Sequence, residues 1–292
     1  MNKEPLEDEL GDIVKKARTG LGLTLRQFSD RTDIAVNLLE ETEAYTYKPS
    51  DAELNIISRE LVLSPPKLND IAKGKWYPEE YSPSPTSPND ELSNVIMIKG
   101  NIGSYKVNGY ILIDKKNGVA VAFDTGNDCR KVLESLKDKG LKLIYIFLTH
   151  GHFDHTGGLM EICRATGACI GLPEREPDIE IDKDISKSVF FVRDGSIYKA
   201  GFLEVMAIAT PGHTQGSTCY VTESYCFSGD TLFAGSVGKA YSTAGYKTLL
   251  NSVRTKILSL NKTVRIFPGH GPATTVGEEV MHNPFFLTEG FS

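Results

Sequence analysis

Apolar residues follow two different rhythms along this chain. From Leu10 to about residue 75 they recur at helical spacing. Leu10, Ile13, Val14 and Ala17 stand at i, i+3, i+4 and i+7, the stripe that an amphipathic helix buries. A second helix is expected to start at Thr24, whose hydroxyl can cap it with Gln27 at the box position, and Leu25 and Phe28 would face inward. A third covers Val36 to Glu43. Leu54, Ile57 and Leu61 mark a fourth, and Leu68 and Ile71 a short fifth.

The rhythm changes after residue 92. Val95–Lys99, Tyr110–Asp114 and Val119–Asp124 read as strands, with a turn at Lys115-Lys116-Asn117-Gly118. Leu141–Leu148 is a nearly continuous apolar run, which predicts a strand covered on both faces. Gly158 to Thr166 reads as a helix. Strands follow near 189–192, 202–208, 217–221 and 225–227, then a helix over Gly245–Leu258 and a last strand over Thr263–Phe267. Between the two regimes, residues 77–91 hold four prolines and several serines, which remove backbone donors and leave an extended spacer. The expected organisation is therefore an all-helical domain at 1–76, a linker at 77–92 and an α+β domain at 93–292, with helices outside a core of sheets.

Composition narrows the function classes. No apolar run reaches the roughly 18 residues needed to span a membrane. The charged N-terminus has no apolar signal region. The five cysteines, at 129, 163, 169, 219 and 226, form no C-x-x-C pair, so a reduced cytoplasmic protein is expected. A net charge of −6 does not suit a polyanion binder.

The chemistry concentrates where the buried strand ends, in Thr149-His150-Gly151-His152-Phe153-Asp154-His155-Thr156-Gly157-Gly158. Imidazole and carboxylate at this density suit zinc, iron or manganese. His213 in Pro211-Gly212-His213-Thr214, Asp230 in Ser228-Gly229-Asp230-Thr231 and His270 in Pro268-Gly269-His270-Gly271 each stand in a Gly-containing turn after an apolar strand. Five of the six histidines fall in these motifs; His282 does not.

The set H-x-H-x-D-H followed by His, Asp and His resembles the metallo-β-lactamase superfamily over residues 93 to 292. The resemblance implies an αββα sandwich and two divalent metal ions, zinc first, with iron or manganese as alternatives. It implies that His150, His152 and His213 hold one ion, that Asp154, His155 and His270 hold the other, and that Asp230 bridges them. Asp154 and Asp230 are then the catalytic carboxylates, and Asp124 supports the site from behind. The implied reaction is attack of a metal-held hydroxide on a small acyl substrate. Zinc β-lactamases lack the bridging Asp, and the 39 residues between Asp230 and His270 leave no room for a nuclease insertion. Gly229-Asp230-Thr231-Leu232-Phe233-Ala234-Gly235 looks like glyoxalase II-like hydrolases. In that comparison Lys239 and Tyr241 are substrate contacts, and a thioester is the substrate class. The Glu-Gly that usually follows is absent, and 22 residues after His270 are too few for the C-terminal helical domain of full-length glyoxalase II. A mononuclear iron persulfide dioxygenase, held by His150, His213 and Asp230, is the alternative enzyme.

Residues 10 to 73 resemble Cro/C1-type helix-turn-helix domains, on the five-helix pattern, Leu23-Thr24-Leu25-Arg26-Gln27-Phe28, and Glu43 followed by Pro49. The resemblance implies DNA contact through Arg26 and Asn37, and a homodimer, because such domains commonly pair. Charge argues against DNA: residues 1–75 carry 11 Lys and Arg against 14 Asp and Glu. Two readings of this region stay open, a DNA-binding regulator with a metal-binding sensor domain and a fold reused for dimerisation or protein contact.

Overall fold

The computed structural model describes residues 4–81, 94–103, 105–176 and 179–287. Helical periodicity at the start of the chain becomes α1 (Leu10–Gly20), α2 (Leu25–Thr32), α3 (Val36–Glu43), α4 (Asp51–Glu60) and α5 (Pro65–Ala72). Thr24 caps α2 as expected: it accepts from Gln27 N at 3.2 Å, while Gln27 Oε1 accepts from Thr24 N at 2.9 Å. Ser50 and Glu53 build the same box on α4. Phe28 is fully buried, but Leu25 is only half-buried, since it sits in the first turn of α2 at the edge of the packed face. Of the linker expected at 77–92, the residues from 82 on lie outside the described residues.

Two six-stranded sheets follow. The first half supplies β1 (Val95–Ile102), β2 (Tyr105–Asp114), β3 (Val119–Phe123), α6 (Cys129–Asp138), β4 (Lys142–Phe147), α7 (Phe153–Thr156), α8 (Leu159–Thr166), β5 (Cys169–Pro173) and β6 (Val189–Val192). Its strands pair in sequence order, antiparallel from β1 to β3 and parallel from β3 to β6. The second half supplies β7 (Ile197–Ala200), β8 (Leu203–Ala209), β9 (Thr218–Val221), β10 (Tyr225–Gly229), a hairpin of β11 (Leu232–Phe233) and β12 (Ser236–Val237), α9 (Thr243–Ser252), β13 (Arg265–Pro268), β14 (Thr274–Thr275) and α10 (Val276–His282). Its sheet order is β14-β13-β10-β9-β8-β7, with β10 and β13 parallel. The helix expected over Gly245–Leu258 ends as α9 at Ser252 and continues as a π turn over Val253–Ile257. Unforeseen elements include α6, although Cys129, Val132, Leu133 and Leu136 stand at helical spacing, and β5, whose five residues include a Gly and a Pro.

The period-2 alternation of the strands builds the layers. Phe123, Phe147, Tyr220, Phe227 and Phe267 fill the space between the sheets, and Phe123 stacks on Phe227 with centroids 3.8 Å apart. Their strand neighbours Ala122, Ile146 and Leu148 face outward to α6 and α8. Cys219, Val221, Cys226 and Ile266 face outward on the other side, to α9 and α10.

The N-terminal helices close over that second outer layer. Ile13, Val14, Leu68 and Ile71 belong to the same apolar cluster as Val221, Leu249 and Phe286. Gly20 lies flat on Tyr246, where a Cβ would fall 2.4 Å from the ring. Ser64 N donates to Pro284 O at 2.8 Å, and buried Lys67 donates to Val280 O and Phe286 O at 2.8 and 2.6 Å. Trp76 stacks on His282 with centroids 5.0 Å apart, so the sixth histidine has a packing role. Among the described residues no helix is long and apolar enough to cross a membrane.

Candidate metal centre

The C-terminal ends of β3, β4, β8, β10 and β13 meet at one edge of the sandwich. Each ends in a short turn; those after β4, β8, β10 and β13 carry the metal-competent residues, and the turn after β3 carries Asp124. His150 and His152 follow β4, with His152 standing at the N-cap of α7 and His155 buried inside that helix. His213 follows β8, Asp230 follows β10 and His270 follows β13. Two glycines let these turns approach. Gly229 has φ +48°, and a Cβ there would fall 2.2 Å from Thr149 Oγ1. A Cβ on Gly269 would fall 2.5 Å from Asp230 Oδ1.

The seven residues assemble as two groups. His150, His152, His213 and Asp230 form one, and Asp154, His155 and His270 the other, each with its ligand atoms within 4.8 Å of one another. In the first, His150 Nε2 and His213 Nε2 both stand 3.0 Å from His152 Nδ1. Ligands in a tetrahedron around zinc, at about 2.0–2.1 Å from it, stand roughly 3.3 Å apart. Asp230 lies between the groups. Its Oδ2 is 3.6 Å from His213 Nε2, and its Oδ1 is 3.3 and 3.5 Å from His155 Nε2 and His270 Nε2. His270 Nε2 is also 3.4 Å from Asp154 Oδ2.

The far side of each ring fixes which nitrogen faces the centre. His213 Nδ1 donates to Lys239 O at 2.7 Å, and His270 Nδ1 to Lys106 O at 2.5 Å. His155 Nδ1 donates to Asp124 Oδ2 at 2.8 Å. Asp124 also accepts from Thr149 N at 2.8 Å and from Thr149 Oγ1 at 2.9 Å, so the threonine oxygen is left to accept from His150 Nδ1 at 3.0 Å. Asp124 does this from a left-handed backbone, φ +54°, a conformation that costs an L-residue roughly 1–2 kcal/mol. With the Nδ1 protons committed outward, the inward nitrogens of His150 and His213 carry lone pairs that converge on His152 Nδ1. A shared cation, or a proton on His152 Nδ1, would satisfy that convergence.

Two further observations fit a cation. His155 Nε2 and Asp230 Oδ1 are buried with no hydrogen-bond partner, and unpaired buried polar atoms are costly. Burial also pushes His150 well below the usual imidazole range, helped by its histidine neighbours, which leaves it a neutral ligand. Burial opposes charge on Asp230 too, but His155, His270 and His150 outweigh it and hold the carboxyl well below the usual range. The cluster is suited to divalent metals.

A cavity of about 370 Å³ opens over the cluster, and Lys239 and Tyr241 line it. Lys239 Nζ sits 5.1 Å from the Tyr241 ring centroid. A larger cavity, about 970 Å³, lies at the opposite end of the sandwich, and no residue of the cluster lines it. Arg26 and Asn37 stand exposed on α2 and α3, and neither lines the metal cavity; Arg26 pairs with Asp30 at 3.2 Å.

Several residues of the site carried no motif. Glu176 accepts from Gly151 N and Gly216 N at 3.0 Å each and from the Thr214 hydroxyl, tying the His150–His152 turn to the His213 turn. The carbonyls of Lys106 and Lys239 are backbone atoms, which no residue pattern announces. Glu7 and Lys16 line the cavity from the N-terminal region.

The family model of the metallo-beta-lactamase superfamily matches residues 106–270, more than half of the chain. The chain belongs to the metallo-β-lactamase superfamily. It is 32% identical over 192 residues to a hydroxyacylglutathione hydrolase, GloC, of Haemophilus influenzae, covering 59% of this chain and 88% of that protein. Among solved structures it matches the B3 metallo-β-lactamase BLEG-1 at 30% identity and TM-score 0.58, over 65% of this chain and 99% of that one. A superfamily member crystallised in a di-iron-bound form matches at 27% identity and TM-score 0.53, over 65% of this chain and all of that one, 100%. The presence of a β-lactamase here means that fold alone does not separate the two chemistries.

Proposed function

We propose that this superfamily member is a dinuclear metal-dependent hydrolase of the glyoxalase II-like kind, acting on a small acyl compound of the thioester class. The observation that carries the reading is Asp230, with one carboxylate oxygen turned to each group of histidines. His150, His152 and His213 would hold one ion, Asp154, His155 and His270 the other, and Asp230 both. Two divalent ions bound there supply an acidified water and polarise the acyl carbonyl. The chain's own residues do the rest. Asp124, Thr149 and the carbonyls of Lys106 and Lys239 orient the rings. Lys239 and Tyr241, which line the cavity, would pair with a carboxylate of the substrate and donate a hydrogen bond. Phe153 and Phe233 give the cavity apolar walls.

The test is elemental analysis of the purified protein beside hydrolysis of a hydroxyacyl thioester of glutathione. About two zinc, iron or manganese ions per chain with turnover are expected from seven ligands. Asp230→Ala is expected to lose metal and hydrolysis together. A single iron without turnover, or full activity in Asp230→Ala, would overturn the reading.

A further inference from the structure

The segment before α1 runs across the rim of the metal cavity. Leu6 is buried in the cluster shared by the helices and the second sheet, and Glu4 pairs with Lys99 at 2.5 Å. Asp8 is buried and holds the Lys16 ammonium, which also donates to Val237 O at 2.9 Å and lies 4.8 Å from the Phe233 ring centroid. Between these anchors, the Glu7 backbone lies against Gly271, next to His270: a Cβ on Gly271 would fall 2.9 Å from Glu7 N. The segment is therefore pinned on both sides of Glu7.

Glu7 lines the cavity with His152, Asp154, His213, Asp230 and His270. Among the described residues no hydrogen bond or ion pair reaches its carboxylate. The nearby cation Lys16 is already engaged by Asp8. Lys239 has no ion partner among the described residues, and it belongs to the other end of the site, where its carbonyl accepts from His213. A carboxylate thus stands at the His270 end and an ammonium at the His213 end of the same cavity.

We propose that Glu7 is a specificity-determining residue, accepting hydrogens from an ammonium on the thiol portion of an acyl thioester whose carboxylate is met by Lys239. The proposal rests on the hydrolytic reading above. It adds a selective element from outside residues 106–270, the part that the superfamily model matches.

The experiment uses the full, metal-loaded chain and two probes: the hydroxyacyl thioester of glutathione, and its N-acetyl derivative, in which the ammonium becomes a neutral amide. The native chain is expected to show kcat/KM about tenfold or more higher for the ammonium probe, the scale of one charge-assisted hydrogen bond. Glu7→Gln is expected to bring the two probes within about twofold, with metal content unchanged, because it replaces the charged acceptor by a neutral amide. Glu7→Lys is expected to reverse the preference toward an N-succinyl derivative, which presents a carboxylate at that position. If Glu7→Lys fails to fold, Glu7→Gln still decides. Retention of the preference in Glu7→Gln, or an equal loss on both probes, overturns the proposal. Turnover by the native chain without preference sinks this inference alone; no turnover of either probe sinks the hydrolytic reading and this inference with it.

Discussion

His150, His152, Asp154 and His155 lie within six residues of chain, at the end of one buried strand. Glu7 and Lys16 reach the same cavity from a helical region at the far end of the sequence. The first set is held by strand ends, whose direction and register are fixed by two sheets. The second is held by side-chain packing, Leu6 and Ile13 against the apolar cluster that contains Val221 and Leu249. The strand-end half of the site belongs to the superfamily's fold, while the helical half depends on contacts this chain makes across its second outer layer. One wall of the cavity thus comes from a part of the chain that sequence pattern alone sets apart.

The sharpest way to break this contrast is to delete residues 1–76. That exposes the cluster face carrying Cys219, Val221 and Leu249, and we expect insoluble or poorly packed protein, read by soluble yield and near-UV circular dichroism. A folded, metallated remainder would show that the helices are an accessory. Within the strand-end half, Glu176→Ala unties the His213 turn from the His150–His152 turn. A loss of about 10–100-fold in metal affinity is expected, the range for partners that orient ligands, read by competition with a chelator. An unchanged affinity would mean the strand ends alone set the geometry. The smallest effect belongs to the outer face of the helices. Arg26→Ala breaks an exposed pair worth about 0–1 kcal/mol and should leave thioester turnover unaltered in steady-state kinetics. A clear loss there would extend the functional surface beyond Glu7 and Lys16.

Legibility followed the same division. The seven metal-competent residues could be read because four of them lie within six residues and the other three each stand in a Gly-containing turn, and the sandwich followed from the family resemblance those motifs carry. The five N-terminal helices could be read from a 3.6-residue period and from the Thr24 cap. Glu176 could not, since one glutamate in Glu174-Arg175-Glu176 looks like a solvated surface charge until Gly151 and Gly216 come to it through space. The destination of α1 could not be read either. An apolar stripe says that a face is buried, and it does not say against what; Gly20 on Tyr246 is a contact between residues far apart in sequence. The short β5 escaped because a few apolar residues fit several structures equally well, whereas α6 carried a readable stripe in Cys129, Val132, Leu133 and Leu136.

Gly271, one residue past His270, bears on the backbone of Glu7. Through that touch, a ligand that binds the rim only while the helices are docked would link rim occupancy to helix docking. Such a ligand would raise the free energy needed to peel the helices away by RT ln(1 + [L]/Kd). The coupling is reciprocal. The melting temperature of the helices would then be a gauge of what the rim has bound.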